Sequence, residues 1–381
     1  MNVALVFNQK KEDTSQQSGT DDTTEPPSFE GGNFTSLTSH AVKTTILENV
    51  SDMFAEWDSP ATITAVRHAL EELHTVSLIE ADDNAFEHLR QQHPDIVFNI
   101  AEGLHGVSRE AQIPALLELL QIPYTGSDPL TLAICLDKSR AKEILSYYNI
   151  PTPRFMVVHD LSTAADISMP FPVMVKPLHE GSSKGIFNSS VARSQPELQR
   201  EIEKILALYH EPALVEEYLT GREFTVAMLG NGEHAACLPV VEIKFDSLPP
   251  GVNPIYSYEA KWIWDQASAP LDIFECPANL SPSLQHKIES VCKKAYQVLR
   301  CRDWCRIDVR LDHAGNPHIL ELNPLPGILP NPEDNSCFPK AARAAGLTYN
   351  KLIQSVLALA ARRCGLPGTM LLSSKKYKER S

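Results

Sequence analysis

The sequence predicts an α/β chain built of several units, and three observations carry that prediction. Short apolar strands alternate with amphipathic helical stretches as far as about Gly126, the pattern of a small parallel sheet covered by helices. Strand-rich sequence runs on from Ala213. Near its end, Arg306-Ile307-Asp308-Val309-Arg310-Leu311 and Ile319-Leu320-Glu321-Leu322-Asn323-Pro324 alternate polar and apolar residues around Asp312-His313-Ala314-Gly315-Asn316. Period-two alternation about a turn-prone segment predicts an antiparallel hairpin with one buried face. At 381 residues the chain is long for one core, so two or three domains are expected.

The first unit reads in order. Residues 1–7 form an apolar strand and lack the basic start and long apolar core of a signal peptide. Residues 9–45 are rich in Thr, Ser, Gln, Asp and Pro; such composition cannot bury enough apolar surface to order itself, which predicts a mobile insertion. The spacing of Ile63, Val66, Leu70 and Leu73 predicts a helix over 59–73, started by Ser59-Pro60. A strand over 75–80, a helix over 84–91, a buried strand over 95–100 and a helix over 111–120 complete a domain spanning 1–126.

A second unit, 127–212, opens with a helix around 137–142 and continues into strands over 154–158 and 171–176. The third, 213–365, ends in an apolar helix over 352–361, and 366–381 is a lysine-rich tail. The net charge of −14, from 34 basic and 48 acidic residues, argues against a general nucleic-acid or anionic-membrane binder. No apolar run approaches the length of a membrane span. Eight cysteines without a Cys-x-x-Cys pair read as reduced thiols, Cys301 and Cys305 included, and suggest a cytoplasmic protein.

Chemistry concentrates at three places. Folding the hairpin about Ala314-Gly315 sets Asp308 opposite Glu321 and Arg306 opposite Asn323. Opposed residues share a face, so two carboxylates, an amide and a guanidinium converge in a set suited to Mg²⁺. Taken alone, the same residues also describe a surface hairpin with cross-strand ion pairs. His313 and His318 flank its turn as exposed residues without metal-ligand spacing. The run Lys176-Pro177-Leu178-His179-Glu180-Gly181-Ser182-Ser183-Lys184-Gly185-Ile186 leaves a buried strand as a Gly/Ser loop able to turn N–H groups toward an anion. It is not a Walker-type phosphate loop. Finally, Leu214-Val215-Glu216-Glu217-Tyr218-Leu219 passes an apolar strand through acidic residues, either a nucleoside pocket or an ordinary strand end.

The order of these motifs resembles the ATP-grasp superfamily and, in detail, the D-alanine–D-alanine ligase family, over residues 95–357. The match rests on Leu136-Asp137-Lys138, Lys176-Pro-x-x-Glu-Gly-Ser-Ser-x-Gly, Gly221-x-Glu-Phe-Thr-Val, Tyr258-Glu-Ala-Lys261, Arg306-Ile-Asp-Val-x-Leu and Glu321-x-Asn323-x-x-Pro-Gly327. It implies a three-domain ligase of α/β (α+β) class, with ATP held between two antiparallel sheets. Lys138 and Lys176 would neutralise phosphates beneath a loop of Glu180, Gly181, Ser182, Ser183 and Gly185. Glu216, Glu217, Tyr218, Leu219, Glu223 and Lys261 would complete the ATP site. Asp308, Glu321 and Asn323 would hold two Mg²⁺ ions, with Mn²⁺ able to replace them. Arg306 and the backbone near Gly327 would stabilise a tetrahedral oxyanion, Ser182 would position substrate, and residues 255–264 would close as a lid.

The implied activity joins a carboxylate to an amine through an acyl phosphate, with D-alanyl-D-alanine as the default product and amino-acid-like molecules as partners. Neither nucleic acid nor membrane is implied; a homodimer is. Departures gather at the amino-acid end, where His105, Trp262 and Ser336 are the candidate contacts. Trp262 stands where the family has a tyrosine, Val107-Ser108-Arg109-Glu110 replaces a glycine-acidic run, and the nearest candidate for the family's early glutamate is Glu56. A ligase for a specialised-metabolite or peptidyl substrate and a non-catalytic ATP-binding module of the same fold stand as alternatives.

Overall fold

The computed structural model describes residues 1–10, 54–265 and 271–366. Of the insertion expected over 9–45, Gln9 and Lys10 pair with Asp58 and the rest lies outside the described residues, as does most of the tail. Three sheets organise the chain. The first is parallel, in the order β2 (Thr75–Glu80), β1 (Asn2–Phe7), β3 (Ile96–Asn99), and β1 is buried throughout Val3–Phe7 because it is the central strand. Helix α1 (Pro60–Glu71) starts where Ser59 Oγ accepts the N–H of Thr62 at 3.2 Å, with Pro60 in the first turn. Its buried face is Ile63, Val66, Ala69 and Leu70. Leu73, expected on that stripe, lies beyond the helix and is 71% exposed. Its N–H returns to the Leu70 carbonyl as the chain turns into β2, which swings the side chain outward.

Helices α2 (Ala85–Gln92) and α3 (Gln112–Leu119) agree with the periodicity. Next come α4 (Pro129–Leu136), which the sequence reading did not single out, and α5 (Lys138–Tyr147). The second sheet is antiparallel, in the order β4 (Phe155–Val158), β7 (Ala213–Glu217), β5 (Val173–Pro177), β6 (Val191–Ala192). Strand β7, expected to head the third unit, hydrogen-bonds on both sides within this sheet and so is one of its inner strands. Helix α6 (Gln195–Leu208) covers the sheet with Leu198, Ile202 and Ile205.

The third sheet runs β11 (Phe274–Glu275), β10 (Val241–Ile243), β8 (Glu223–Leu229), β12 (Trp304–Leu311), β13 (Pro317–Asn323), with β9 (Ala236–Cys237) on β8. Helix α7 (Pro282–Val298) packs Ile288, Cys292, Ala295 and Tyr296 onto it. The hairpin register is the expected one: Asp308 opposes Glu321 and Arg306 opposes Asn323. Beyond that pair the register slips by one, leaving Leu320 as the extra residue of a bulge. Helices α8 (Cys337–Ala344) and α9 (Tyr349–Arg363) return to the first unit, where Leu352, Ile353 and Val356 share a core with Val3, Leu5, Ile63 and Val66. Among the described residues no helix is long and apolar enough to cross a membrane.

Candidate active site

The second and third sheets face each other across a cleft of about 300 Å³, at the small end of ligand pockets. Met174, Lys176 and residues 216–219 line it from one side, and Glu223, Arg306, Asp308 and Glu321 from the other. A smaller cavity of about 90 Å³ adjoins it, walled by Glu102, Glu110, Lys138 and Asn323. Glu56, Glu180, Gly181, Ser182, Lys261, Arg306, Glu321 and Gly327 line both, so the two spaces meet at one set of charges.

The hairpin supplies the acidic side of that junction. Arg306 Nη2 lies 3.0 Å from Asp308 Oδ2 and 4.0 Å from Glu321 Oε1, while Asn323 Nδ2 donates to Asp308 Oδ2 at 3.3 Å. Burial and the neighbouring Glu321 push the Asp308 carboxyl up, against the pull of Arg306. Burial works the same way on Glu321, but Lys138, Lys176 and Arg306 bring it down to about 2. Opposite Asp308 on β8, the buried hydroxyl of Thr225 lies beside that carboxylate. Two carboxylates crowded so that one is disfavoured as an anion suit a hard cation, which would relieve their repulsion. Among the described residues no group of three or more His, Cys, Asp or Glu is gathered for a metal. Asp308, Glu321 and Asn323 offer two carboxylates and an amide oxygen, a donor set that could hold a hard cation only with further oxygens from ligand and water.

The basic side is built on α5 and β5. Asp137 caps α5, its Oδ1 accepting the N–H groups of Ser139 at 3.0 Å and Arg140 at 3.2 Å. That places Lys138 with its ammonium 2.5 Å from the Glu180 carbonyl and 3.8 Å from Glu321. Glu216 takes two cations at once: Lys176 at 2.5 Å and Lys142 at 3.0 Å. Burial brings Lys142 down to about 8, whereas Lys176 stays raised because Glu216 and Glu321 outweigh its burial. Lys142 escaped the sequence reading. Its signal was there, since it follows Lys138 by four residues and so shares a helix face.

The loop after β5 is held in an unusual conformation. Ser182 and Ser183 have φ of 50° and 62°, a left-handed pair that costs on the order of 1 kcal/mol per residue. It is pinned by Ser183 Oγ donating to the Tyr256 carbonyl at 2.9 Å and Trp262 Nε1 donating to the Ser182 carbonyl at 3.1 Å. A Cβ on Gly181 would lie 2.6 Å from Glu56 Oε1, so a larger residue there would push that carboxylate aside. Gly185, at φ +68°, lines neither cavity, and a Cβ on it would meet the Pro177 ring at 2.4 Å. Its part is to shape the loop.

Glu56 itself lies inside the site, with Oε1 accepting the Gly181 N–H at 2.7 Å. Arg109, which the sequence reading treated only as a departure, binds both Glu56 oxygens at 3.0 and 2.9 Å. Arg310 joins Glu223 at 2.7 Å and lies over the Tyr218 ring. Glu217, Tyr218, Leu219, Lys261, Trp262 and Ser336 line the larger cavity. His105 does not reach the site: it is exposed and lines neither cavity. The following loop folds outward, and the His105 carbonyl instead accepts from Gln112 at 2.9 Å.

Two antiparallel sheets closing on paired lysines and a carboxylate–amide hairpin define an ATP-grasp fold. Solved structures agree: a D-alanine–D-alanine ligase of Bacillus anthracis complexed with ATP superposes with a TM-score of 0.61 at 20% identity, covering 96% of this chain and 99% of that one. Residues 145–358 match the model of the D-ala D-ala ligase C-terminus. An uncharacterised protein of Sinorhizobium fredii is 35% identical over 81% of this chain and 89% of its own length. A D-alanine–D-alanine ligase of Bordetella pertussis is 37% identical over 69% and 78%. The chain belongs to the D-alanine–D-alanine ligase family, and it is an ATP-dependent ligase that forms a peptide bond.

Proposed function

We propose that the chain joins the carboxylate of one amino-acid-like substrate to the amine of another, with D-alanine the first candidate for both. One observation carries this reading: Lys138, Arg306 and Glu321 line the smaller cavity together with Glu56 and Gly327, and the larger cavity opens onto the same junction. ATP in the larger cavity would set its adenosine among Glu216, Glu217, Tyr218, Leu219 and Glu223. Its phosphates would lie under the residue 180–185 loop, against Lys138, Lys176 and Lys261. Asp308, Glu321 and Asn323 would hold Mg²⁺, which when bound spreads the charge of the transferring phosphoryl group.

The substrate carboxylate oxygen attacks the γ-phosphorus and ADP leaves. The second amine then attacks the acyl carbon, inorganic phosphate leaves, and the nitrogen gives up a proton as the amide forms. Arg306 and the Gly327 N–H face the carbonyl carbon's developing oxyanion. Ser182 positions substrate, and residues 255–264 exclude water that would hydrolyse the acyl phosphate. All eight cysteines are free thiols, which suits a reducing cytoplasm. Phosphate release with ATP and Mg²⁺, across D- and L-amino-acid panels and with products identified by mass spectrometry, tests the reading. Release with no acid on any panel overturns it in favour of a non-catalytic nucleotide-binding module.

A second reading, a ligase for a specialised-metabolite or peptidyl substrate, is favoured by the amino-acid end. There an indole donates to the Ser182 carbonyl and a guanidinium occupies the Glu56 carboxylate. The same panels, extended to dipeptides, separate the two.

A further inference from the structure

Arg109 lies in the short turn before α3, with its side chain 6% exposed. Its Nη2 meets four oxygens: Glu56 Oε1 at 3.0 Å, Glu56 Oε2 at 2.9 Å, the His179 carbonyl at 3.0 Å and Glu180 Oε2 at 3.2 Å. Lys184 joins the same group, 2.6 Å from Glu180 and 3.9 Å from Glu56. Two cations thus balance two carboxylates. Glu56 and Arg109 come from the first unit, whereas His179, Glu180 and Lys184 come from the loop after β5. The guanidinium is therefore a polar junction between the substrate-side unit and the phosphate loop.

Arg109 lines neither cavity, yet Glu56 and Glu180 line both. Any effect it has on substrate must pass through those two carboxylates. Without it they would face each other under cover with Lys184 as the remaining cation, and a buried carboxylate pair so placed repels. A fork of N–H donors that spans several acceptors is what Arg offers and Lys does not.

We propose that Arg109 is a positioning residue that seats Glu56 against the phosphate loop and thereby sets binding of the carboxylate-bearing substrate, with little effect on the nucleotide. This rests on the ligase reading above. Because the guanidinium already engages both Glu56 oxygens, Glu56 presents only its remaining lone pairs to the substrate, in one fixed orientation. Glu56 aligned in this way orients the acid before phosphoryl transfer.

Steady-state kinetics on the full chain with ATP, Mg²⁺ and the best acid from the panel tests the proposal. Arg109→Gln is expected to raise KM for that acid about ten-fold or more, with kcat and KM for ATP each within about three-fold. Arg109→Lys, which keeps a charge but not the fork, should fall between; it also serves if Arg109→Gln does not fold. The double variant Glu56→Gln/Arg109→Gln should be within about two-fold of Glu56→Gln alone, because one acts through the other. Equal increases in both KM values, or effects that multiply in the double variant, would overturn the proposal while leaving the ligase reading intact. If wild type turns over no acid, both fall together.

Discussion

The indole N–H of Trp262 donates a 3.1 Å hydrogen bond to the carbonyl oxygen of Ser182, tying the turn of residues 259–264 to the left-handed loop after β5. A tryptophan can donate there and nothing more, whereas the family's tyrosine both donates and accepts. Trp262 is 36% exposed and lines the larger cavity. Trp262→Tyr is expected to reorder kcat/KM among amino-acid substrates while KM for ATP stays within about three-fold, since specificity is a difference in transition-state binding. An unchanged ranking with strongly weakened ATP use would assign the indole to the nucleotide.

Asp308→Asn and Glu321→Gln each keep the shape of the hairpin and remove one charge. Turnover should fall about 10²-fold or more, because a lost ligand weakens stabilisation of charge in the transition state. Thermal stability should hold or rise slightly for Asp308→Asn but fall for Glu321→Gln, whose charge Lys138, Lys176 and Arg306 hold in place. In the free protein the two carboxylates oppose each other, and burial together with Glu321 already disfavours the Asp308 anion. Calorimetry beside a phosphate-release assay checks both halves, and full activity of either variant at saturating Mg²⁺ would remove the metal assignment.

The hairpin was legible in the sequence because alternation on both arms and the Gly315 turn between them are local. Asp308 nonetheless reaches Glu321 only because the register shifts after Val309 and Ile319 pair. The bulge at Leu320 was not legible, since nothing in the turn or in the alternation of either arm marks an extra residue. Glu56 and Arg109 were read as loose ends for a similar reason. Their partners lie 125 and 71 residues away, at Gly181 and Glu180, and no short-range pattern announces such a contact. His105 shows the converse: the resemblance offers it as a contact, yet it stays exposed while Arg109, four residues on, is buried against Glu56.

Lys142 is 1% exposed and 3.0 Å from Glu216, which also holds Lys176. Removing one member of a buried charge group costs about 3–5 kcal/mol, because the partner keeps its desolvation penalty. Lys142→Met should therefore lower unfolding free energy by roughly that amount in urea titrations. Adding Glu216→Gln should cost more still, because Lys176 then loses its 2.5 Å partner. A Lys142→Met protein as stable as wild type would mean that Lys176 alone satisfies Glu216.

His179 gives the fold a pH dependence whose sign follows from its neighbours. Its Nδ1 lies 2.8 Å from Glu211 Oε2 and its Nε2 lies 3.7 Å from Asp137 Oδ2. Burial lowers the affinity of the ring for a proton, but the two carboxylates outweigh it and lift the imidazole to about 9, from an ordinary 6.5. The folded state therefore binds that proton more tightly than the unfolded chain does. The stabilisation is fully present below pH 6.5 and is lost as pH rises through about 9. A shift of this size, reduced by partial solvent screening, is on the order of 2 kcal/mol. His179→Gln should thus be less stable than wild type by that margin near pH 6, with the gap closing by about pH 10 in denaturant titrations. Because Asp137 caps the helix that carries Lys138, the same variant should show a raised KM for ATP near pH 6. A stability gap that stays constant from pH 6 to 10 would mean that the ring is held neutral, and the charged triad of Asp137, His179 and Glu211 would be wrong.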